Sequence, residues 1–526
     1  MQPTIRKKLQ RFMSAGKQTL SSAWIWQTEN SLISGNGKIL VGSIIGFGIL
    51  LRFIPYLSNR SLWVDEAKLA LNIIQKSFGQ LVQPLDYNQM APVGFLFIEK
   101  FLTQIFGTDE HVLRVFPLLA GILSLFLFYE VSRRILTLRG LSIALGLFAL
   151  SEQLIRYASE FKQYSSDVAI ALTISLMGLL CVKNESGWVS ILLLTSITGA
   201  LLIWFSHPSI FVLAGVGLTL VIQALETKNW RKLIWLALPA VFWLGSFALN
   251  YSLAHLDVSH HPKMIKAWSG STAFMPLPPI SVEDLLWFPK TFLAMFPQTA
   301  GLYLSGLTAL CFIAGWISHL KQNRYAFFLL ILPAAVSLIA SGLHAYPFQG
   351  RLILFLVPSL IIFIGEGVDR IITMAKPTSP IIPVSLCLLL FLFPAHTAFS
   401  TLLNPARMER EEIRPIMAYL SAHYQEGDHI YLYPSSWAAF EYYDRRFGLE
   451  KASYQVGVVS RKNWDRYVRD LNGLSGNPRV WIVFSHVHKQ FGIDEERFYL
   501  FVLNQLGRQI ASFTRQGASL YLYDLH

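Results

Sequence analysis

Long apolar runs recur along the first three quarters of the chain, each long enough to cross a hydrocarbon core of about 30 Å as a helix. Lipid offers the backbone no hydrogen-bond partner. A segment that crosses it must satisfy its own amides and carbonyls, and the helix does so within one run. The expected spans cover roughly 39–56, 113–131, 141–154, 168–182, 188–205, 210–225, 233–249, 302–320, 325–343, 352–368 and 381–398, about eleven in all, the short third one extending into 153–157. A partial helix is expected at about 285–296. The chain is 53% hydrophobic and only 14% charged, far from a soluble globular average. These features predict a polytopic α-helical membrane protein of about 11 transmembrane helices. The middles of the spans carry no Asp, Glu, Lys or Arg, although ion-coupled transporters usually need some there.

The net charge of +12 invites a nucleic-acid partner, but its distribution argues against one. Arg6, Lys7, Lys8, Arg11, Lys17 and Lys38 precede the first span against a single Glu29. Alternate short loops then carry Arg133, Arg134 and Arg139; Lys228, Arg231 and Lys232; Lys321 and Arg324; Arg370 and Lys376. This is the positive-inside pattern. It predicts a multi-pass protein of the cytoplasmic membrane with its N-terminus inside and its first span an uncleaved anchor. An odd number of spans puts the C-terminal segment outside, on the same face as Asp65 and Glu66. Cys181, Cys311 and Cys387 all fall in predicted spans, so no disulfide framework is indicated.

Three regions follow: a cytoplasmic tail (1–38), a membrane domain (39–401) and a small extracytoplasmic α/β domain (402–526). The first outer loop, 57–112, has helical periodicity in Ala67, Ala70, Leu71, Ile74 and Phe78, and again in Gly94, Phe97, Ile98, Phe101 and Ile105. Two helices lying in the interface are expected, joined by the turn-rich 83–92. In the last region, 411–424 and 496–507 read as helices, and 429–433, 479–484 and 520–523 as strands. No glycine-rich phosphate loop follows any strand.

Four groups at the outer face can carry chemistry. Asp65 and Glu66 open a predicted helix. They can stabilise its N-terminus, and Asp65 can serve as a general base. The loop from Arg156 to Asp167 offers Glu160 to position an acceptor or a metal, and Arg156 or Lys162 to bind phosphate. Arg351 begins a span at headgroup level, where a guanidinium suits phosphate or simply snorkels to the interface. Ser206-His207-Pro208 offers a metal ligand or proton carrier, or a structural histidine. His260 and His261 lie in the other long outer loop. Tyr87, Tyr164, His207 and Tyr346 are the expected substrate-binding side chains. Asp65, Glu160 and His207 are the expected ligands if a divalent cation is used.

An Asp-Glu pair after the first span, a helical first loop with a proline-containing turn, and about a dozen spans ending in an outer domain resemble the glycosyltransferase-C superfamily. The resemblance is to its protein O-mannosyltransferase and aminoarabinose-transferase-like branch. Leu62-Trp63-Val64-Asp65-Glu66 matches that branch's aromatic-x-Asp-Glu signature. Phe106-Gly107-Thr108-Asp109-Glu110-His111 matches its phrase leading into the second span. Tyr157-Ala158-Ser159-Glu160-Phe161-Lys162-Gln163-Tyr164 resembles its Tyr-Ala-x-Glu-x-basic-x-Tyr loop, and Ser206-His207-Pro208 its Thr/Ser-His turn. The chain departs at Gln89-Met90-Ala91-Pro92, where the aminoarabinose transferases carry Glu-Lys-Pro.

The resemblance implies a glycosyltransferase that uses a polyprenyl-phosphate-linked sugar donor. It further implies Asp65 as base, Glu66 and Glu160 as helpers, phosphate held by Arg351, Lys162 and Arg156, and inversion at the anomeric carbon. The acceptor would be an envelope glycolipid, polysaccharide or protein. Two other classes stay open: a lipid-linked-sugar transporter or flippase that makes no bond, and an assembly partner whose outer domain does the work.

Overall fold

A computed structural model describes residues 35–183, 188–254, 273–375, 381–461, 463–490 and 492–526. Residues 1–34 of the expected cytoplasmic tail, and His260 and His261, lie outside these. The bundle begins with α1 (Gly35–Leu57). Two shorter helices follow, α2 (Val64–Gln75) and α3 (Val93–Phe106), as the first-loop periodicity predicts. Next come α4 (Glu110–Ser132), α5 (Leu138–Leu150), α6 (Glu152–Ala158), α7 (Tyr164–Lys183), α8 (Trp188–Leu202) and α9 (Ser209–Glu226). Then come α10 (Trp230–Trp235), α11 (Ala237–Ala254), α12 (Val282–Ala294), α13 (Ser305–Gln322), α14 (Arg324–Gly342), α15 (Val357–Ala375) and α16 (Ile381–Leu403).

Helix covers most of each of the eleven expected spans. Among the described residues, eight helices are long and apolar enough to cross a membrane, and nine if the bent pair α5–α6 counts as one span. The expected count of eleven is not reached on that measure, because α8 is short and α13 falls outside the set.

The α5–α6 pair shows how an irregularity is tolerated at membrane depth. The two helices meet at 52°, which leaves carbonyls at the end of α5 without intrahelical partners. Arg52, fully buried in α1, donates to the Phe148 and Ala149 carbonyls at 3.4 Å each and to Gly48 O at 3.0 Å. Ser151 caps α6 and donates to Ala300 O at 2.8 Å. A charge inside the first span thus closes the break in its neighbour. Elsewhere the bundle relies on close approach. A Cβ on Gly315 of α13 would collide with the Phe363 carbonyl of α15, and one on Gly367 with the Cys311 carbonyl. Small residues let the two backbones touch, which is how helices associate where no hydrophobic force separates them from lipid.

The chain after α16 forms a five-stranded sheet in the order β2-β1-β3-β7-β6. Its strands are β1 (His429–Leu432), β2 (Tyr454–Val456), β3 (Val480–Ser485), β6 (Arg508–Arg515) and β7 (Ala518–Asp524), with a separate hairpin of β4 (Lys489–Gln490) and β5 (Ile493–Asp494). β1, β2 and β3 are parallel, while β7 joins β3 antiparallel, Val480 opposite Tyr523. β3 is buried along its whole length, as befits the middle of a covered sheet. Helices α17 (Ile413–His423), α18 (Trp437–Tyr443), α19 (Trp464–Asn472) and α20 (Glu495–Leu506) cover it. The sheet is larger than the three expected strands. β2 is short and mostly exposed, and β6 is exposed along much of its length, so neither has the apolar pattern by which β3 is recognised. The helix expected from residue 411 starts at Ile413 instead, and this leaves Arg410, Glu411 and Glu412 free to reach the bundle.

Candidate active site

The end of the bundle that meets the C-terminal domain is built on the segment from Arg60 to Glu66. Arg114, buried in α4, donates to the Arg60 carbonyl at 2.6 Å and the Ser61 carbonyl at 3.2 Å. It also grips Glu66 through two bonds, Nε to Oε1 at 3.0 Å and NH2 to Oε2 at 2.7 Å. This fork-to-fork pair fixes direction as well as distance. Glu66 accepts the Phe161 N–H at 2.6 Å in addition. It is fully enclosed and offers no face to a substrate, which corrects the expected direct role. Burial would raise its carboxyl, but Arg114 and Arg60 reverse the effect and hold it below the ordinary range.

Anchoring Phe161 fixes the turn between α6 and α7, together with Arg60, which donates to Ser159 O at 2.7 Å. Glu160 and Lys162 leave this turn on either side of Phe161. Asp65 stands in the first turn of α2, where the helix dipole favours a carboxylate. It meets Arg351 at 2.8 Å, across most of the bundle domain in sequence. Gly350, at φ 52°, makes the left-handed turn that delivers Arg351. Asp65 and Arg351 stay 24% and 26% exposed, unlike the sealed Glu66–Arg114 pair. Burial pushes the Asp65 carboxyl up, but Lys162 and Arg351 outweigh it and leave it below its usual value. Burial lowers the Lys162 ammonium to about 8 despite Asp65. Lys162 Nζ, from the turn between α6 and α7, donates to Gln89 Oε1 at 2.7 Å, so a lysine from another loop reaches the Gln89 turn.

The indole of Trp63 forms a wall. The guanidinium of Arg351 lies 5.4 Å from its ring centre and that of Arg410 4.2 Å. Arg410 also pairs with Glu160 at 3.2 Å. Arg351 lies 5.5 Å from the ring of Tyr164, which meets Tyr157 edge-on.

No protein-family profile matches the sequence, and a search of curated proteins finds no match. Solved structures do match in shape. ArnT from Cupriavidus metallidurans, in the apo state, superposes with a TM-score of 0.54 at 15% identity, over 91% of this chain and 98% of that one. The same protein bound to undecaprenyl phosphate gives 0.54 at 14% identity, with the same coverage. The apo oligosaccharyltransferase of Archaeoglobus fulgidus gives 0.52 at 11% identity, over 96% of this chain and 75% of that one.

The chain has the glycosyltransferase-C fold.

Within the glycosyltransferase-C fold, the arrangement unites Asp65, Arg351, Lys162, Glu160 and Tyr164 around Trp63. Three expected residues have other occupations. Arg156 pairs with Glu152 one turn earlier, at 3.4 Å. Tyr87 packs edge-on against Trp437 of α18 at 4.7 Å, as part of the seam between loop and C-terminal domain. Tyr346 donates to Leu352 O at 2.7 Å and packs on Phe211. His207 sits half-buried in the turn between α8 and α9. The expected metal set of Asp65, Glu160 and His207 is not assembled. Among the described residues no group of three or more His, Cys, Asp or Glu is close enough to hold an ion. The carboxylates of Asp65 and Glu160 are each engaged by an arginine instead.

The sequence reading missed Arg410, Glu411 and His486. Glu411 accepts the Val64 N–H at 3.0 Å, and Glu412 accepts both the N–H and Oγ–H of Ser61, at 2.8 and 2.9 Å. The one local signal was the charged run Glu409-Arg410-Glu411-Glu412, which reads as a solvated helix start.

Proposed function

We infer that this protein is a membrane glycosyltransferase that moves a sugar from a polyprenyl-phosphate-linked donor to a hydroxyl-bearing envelope acceptor, at the outer face of the cytoplasmic membrane. The observation that carries the reading is the partly exposed Asp65–Arg351 pair, with Lys162 beside it. A carboxylate and a guanidinium from distant segments meet where a lipid headgroup can reach both. The solved ArnT structure with undecaprenyl phosphate supports a lipid-phosphate ligand for a site of this fold.

The chemistry follows from the charges. Donor phosphate entering beside Arg351 and Lys162 competes with Asp65 for the guanidinium. Asp65 is thereby released, and its basicity rises toward that of an ordinary carboxylate. The acceptor oxygen attacks the anomeric carbon while its proton passes to Asp65. The bond from the anomeric carbon to the phosphate oxygen breaks, and its electron pair stays on the phosphate, which Arg351 and Lys162 stabilise by preorganised positive charge. One displacement inverts the anomeric configuration. Glu66 and Arg114 position Asp65 and do not touch the substrate. The Asp65–Arg351 pair thus makes base strength depend on donor occupancy.

The test supplies purified protein with undecaprenyl-phosphate-linked tritiated sugars, one at a time, and washed envelope membranes. Label should pass to the acceptor with wild type and not with folded Asp65→Asn. Equal transfer by both removes Asp65 from the mechanism. Movement of donor across a bilayer without bond formation would favour a transporter.

A further inference from the structure

The C-terminal sheet has its own topological switch point. β1 is flanked by β2 on one side and β3 on the other, all three parallel. In such sheets the crevice beyond the carboxyl ends of the two strands at the reversal is where ligands bind. Here that edge abuts the membrane domain. Ser485, at the end of β3, donates its N–H to Ser436 Oγ, just beyond β1, at 2.7 Å. The next residue, His486, takes φ 53°, the left-handed conformation. Asparagine or glycine holds that conformation at least as well, so the backbone does not explain the imidazole.

The ring makes two kinds of contact. Nδ1 lies 2.5 Å from Glu411 Oε1. Glu411 accepts the Val64 N–H and the Ser485 Oγ–H through its other oxygen. With Glu411 acting as acceptor throughout, the proton of that bond belongs to Nδ1, and this sets the tautomer. In the neutral ring, Nε2 then carries a lone pair. The ring lies 6.2 Å from that of Trp63, the residue that also carries Arg410. The His486 side chain is 35% exposed, so its ring is accessible to a ligand.

We propose that the switch-point crevice is the acceptor subsite and that His486 Nε2 accepts a hydrogen bond from a hydroxyl of the acceptor, a sugar or another polyol headgroup. This rests on the glycosyl-transfer reading. The two ring nitrogens then do separate work. Nδ1 ties the crevice to the backbone beside Asp65 through Glu411, and Nε2 meets the substrate. Trp63 forms the shared wall between donor and acceptor sides.

Two amide substitutions separate these roles. His486→Asn puts an amide nitrogen where Nδ1 stood and suits the left-handed turn, so it preserves the fold and removes Nε2. His486→Gln places its amide further out, nearer the position of Nε2. Each variant is assayed for undecaprenyl phosphate binding, and for transfer of tritiated sugar from the undecaprenyl-phosphate donor to washed envelope membranes at varied membrane concentration. The expected result is undecaprenyl phosphate affinity within twofold of wild type in both. In His486→Asn the half-saturating membrane concentration should rise at least tenfold, with partial recovery in His486→Gln. Wild-type transfer by His486→Asn overturns the inference alone, since Nδ1 would then be all that matters. A wild-type protein that neither binds undecaprenyl phosphate nor transfers any sugar overturns the parent reading and this inference with it.

Discussion

Glu411 accepts the backbone N–H of Val64, one residue before Asp65, at 3.0 Å. A carboxylate of the C-terminal segment thus holds the start of the helix that presents the candidate base. The consequences for activity and stability can each be measured.

Asp65 and Arg351 should fail in different ways. Asp65→Asn removes the proton acceptor and should lower the maximal transfer rate about a hundredfold to ten-thousandfold, with undecaprenyl phosphate still bound. Arg351→Ala should weaken that binding instead. Arg351→Lys should recover it only in part, because an ammonium lacks the planar fork. Steady-state kinetics beside a direct lipid-phosphate binding assay checks both, and an Asp65→Asn variant that loses binding but keeps its rate would contradict the assignment.

Donor binding should weaken as pH rises through about 8, where Lys162 gives up its proton. The sign follows from burial. The folded protein holds this proton less tightly than an exposed lysine would, so positive charge is present below about 8 and lost above it. Stability should change the other way, rising between about 8 and the ordinary lysine value near 10.4, where only the unfolded chain still binds the proton. Lys162→Met should flatten the binding profile. A profile identical to wild type would exclude Lys162 from the phosphate site.

Breaking the sealed pair should cost more than weakening the open one. Glu66→Ala leaves Arg114 buried beside two carbonyls without its counter-charge, a loss of about 3–5 kcal/mol. Thermal melting in detergent should show a large drop for Glu66→Ala and a small one for Asp65→Asn. Similar drops would mean that the two pairs are equally structural.

The α13–α15 contact sets a packing test. Gly315→Ala or Gly367→Ala forces the backbones apart and should destabilise by at least about 1–3 kcal/mol. Gly245→Ala, with nothing within 4 Å of the added methyl, is the control. Equal melting temperatures for all three would show that the crossing has slack.

The membrane architecture was legible because lipid imposes one strong rule on each segment by itself. The run at 352–368 needs no neighbour to be recognised as a span. Asp65 and Arg351 were legible for a related reason. Asp65 follows the first span closely and Arg351 opens a later one, and the alternation of basic loops assigns both to one face. Arg410, Glu411 and His486 were not. Their partners lie hundreds of residues away in Glu160, Val64 and Trp63, and the neighbouring residues have no period that implies those contacts. Arg52 was likewise hidden, because its role answers a break in α5–α6 that only three dimensions reveal. At Gln89 the sequence departs from the motif it otherwise resembles, and Lys162 from another loop reaches that turn.

Glu110, fully buried at the start of α4, takes its partners from the far end of the chain: Arg414 at 3.1 Å, Arg446 at 2.8 Å and the hydroxyl of Tyr443 at 2.8 Å. The ribosome makes α4 long before any of them. During biogenesis that carboxylate must wait at the lipid boundary, hydrated or protonated, until the last quarter of the polypeptide has emerged and settled over it. Closure of the contact between α4 and the C-terminal domain is therefore a late event, timed by the arrival of three side chains.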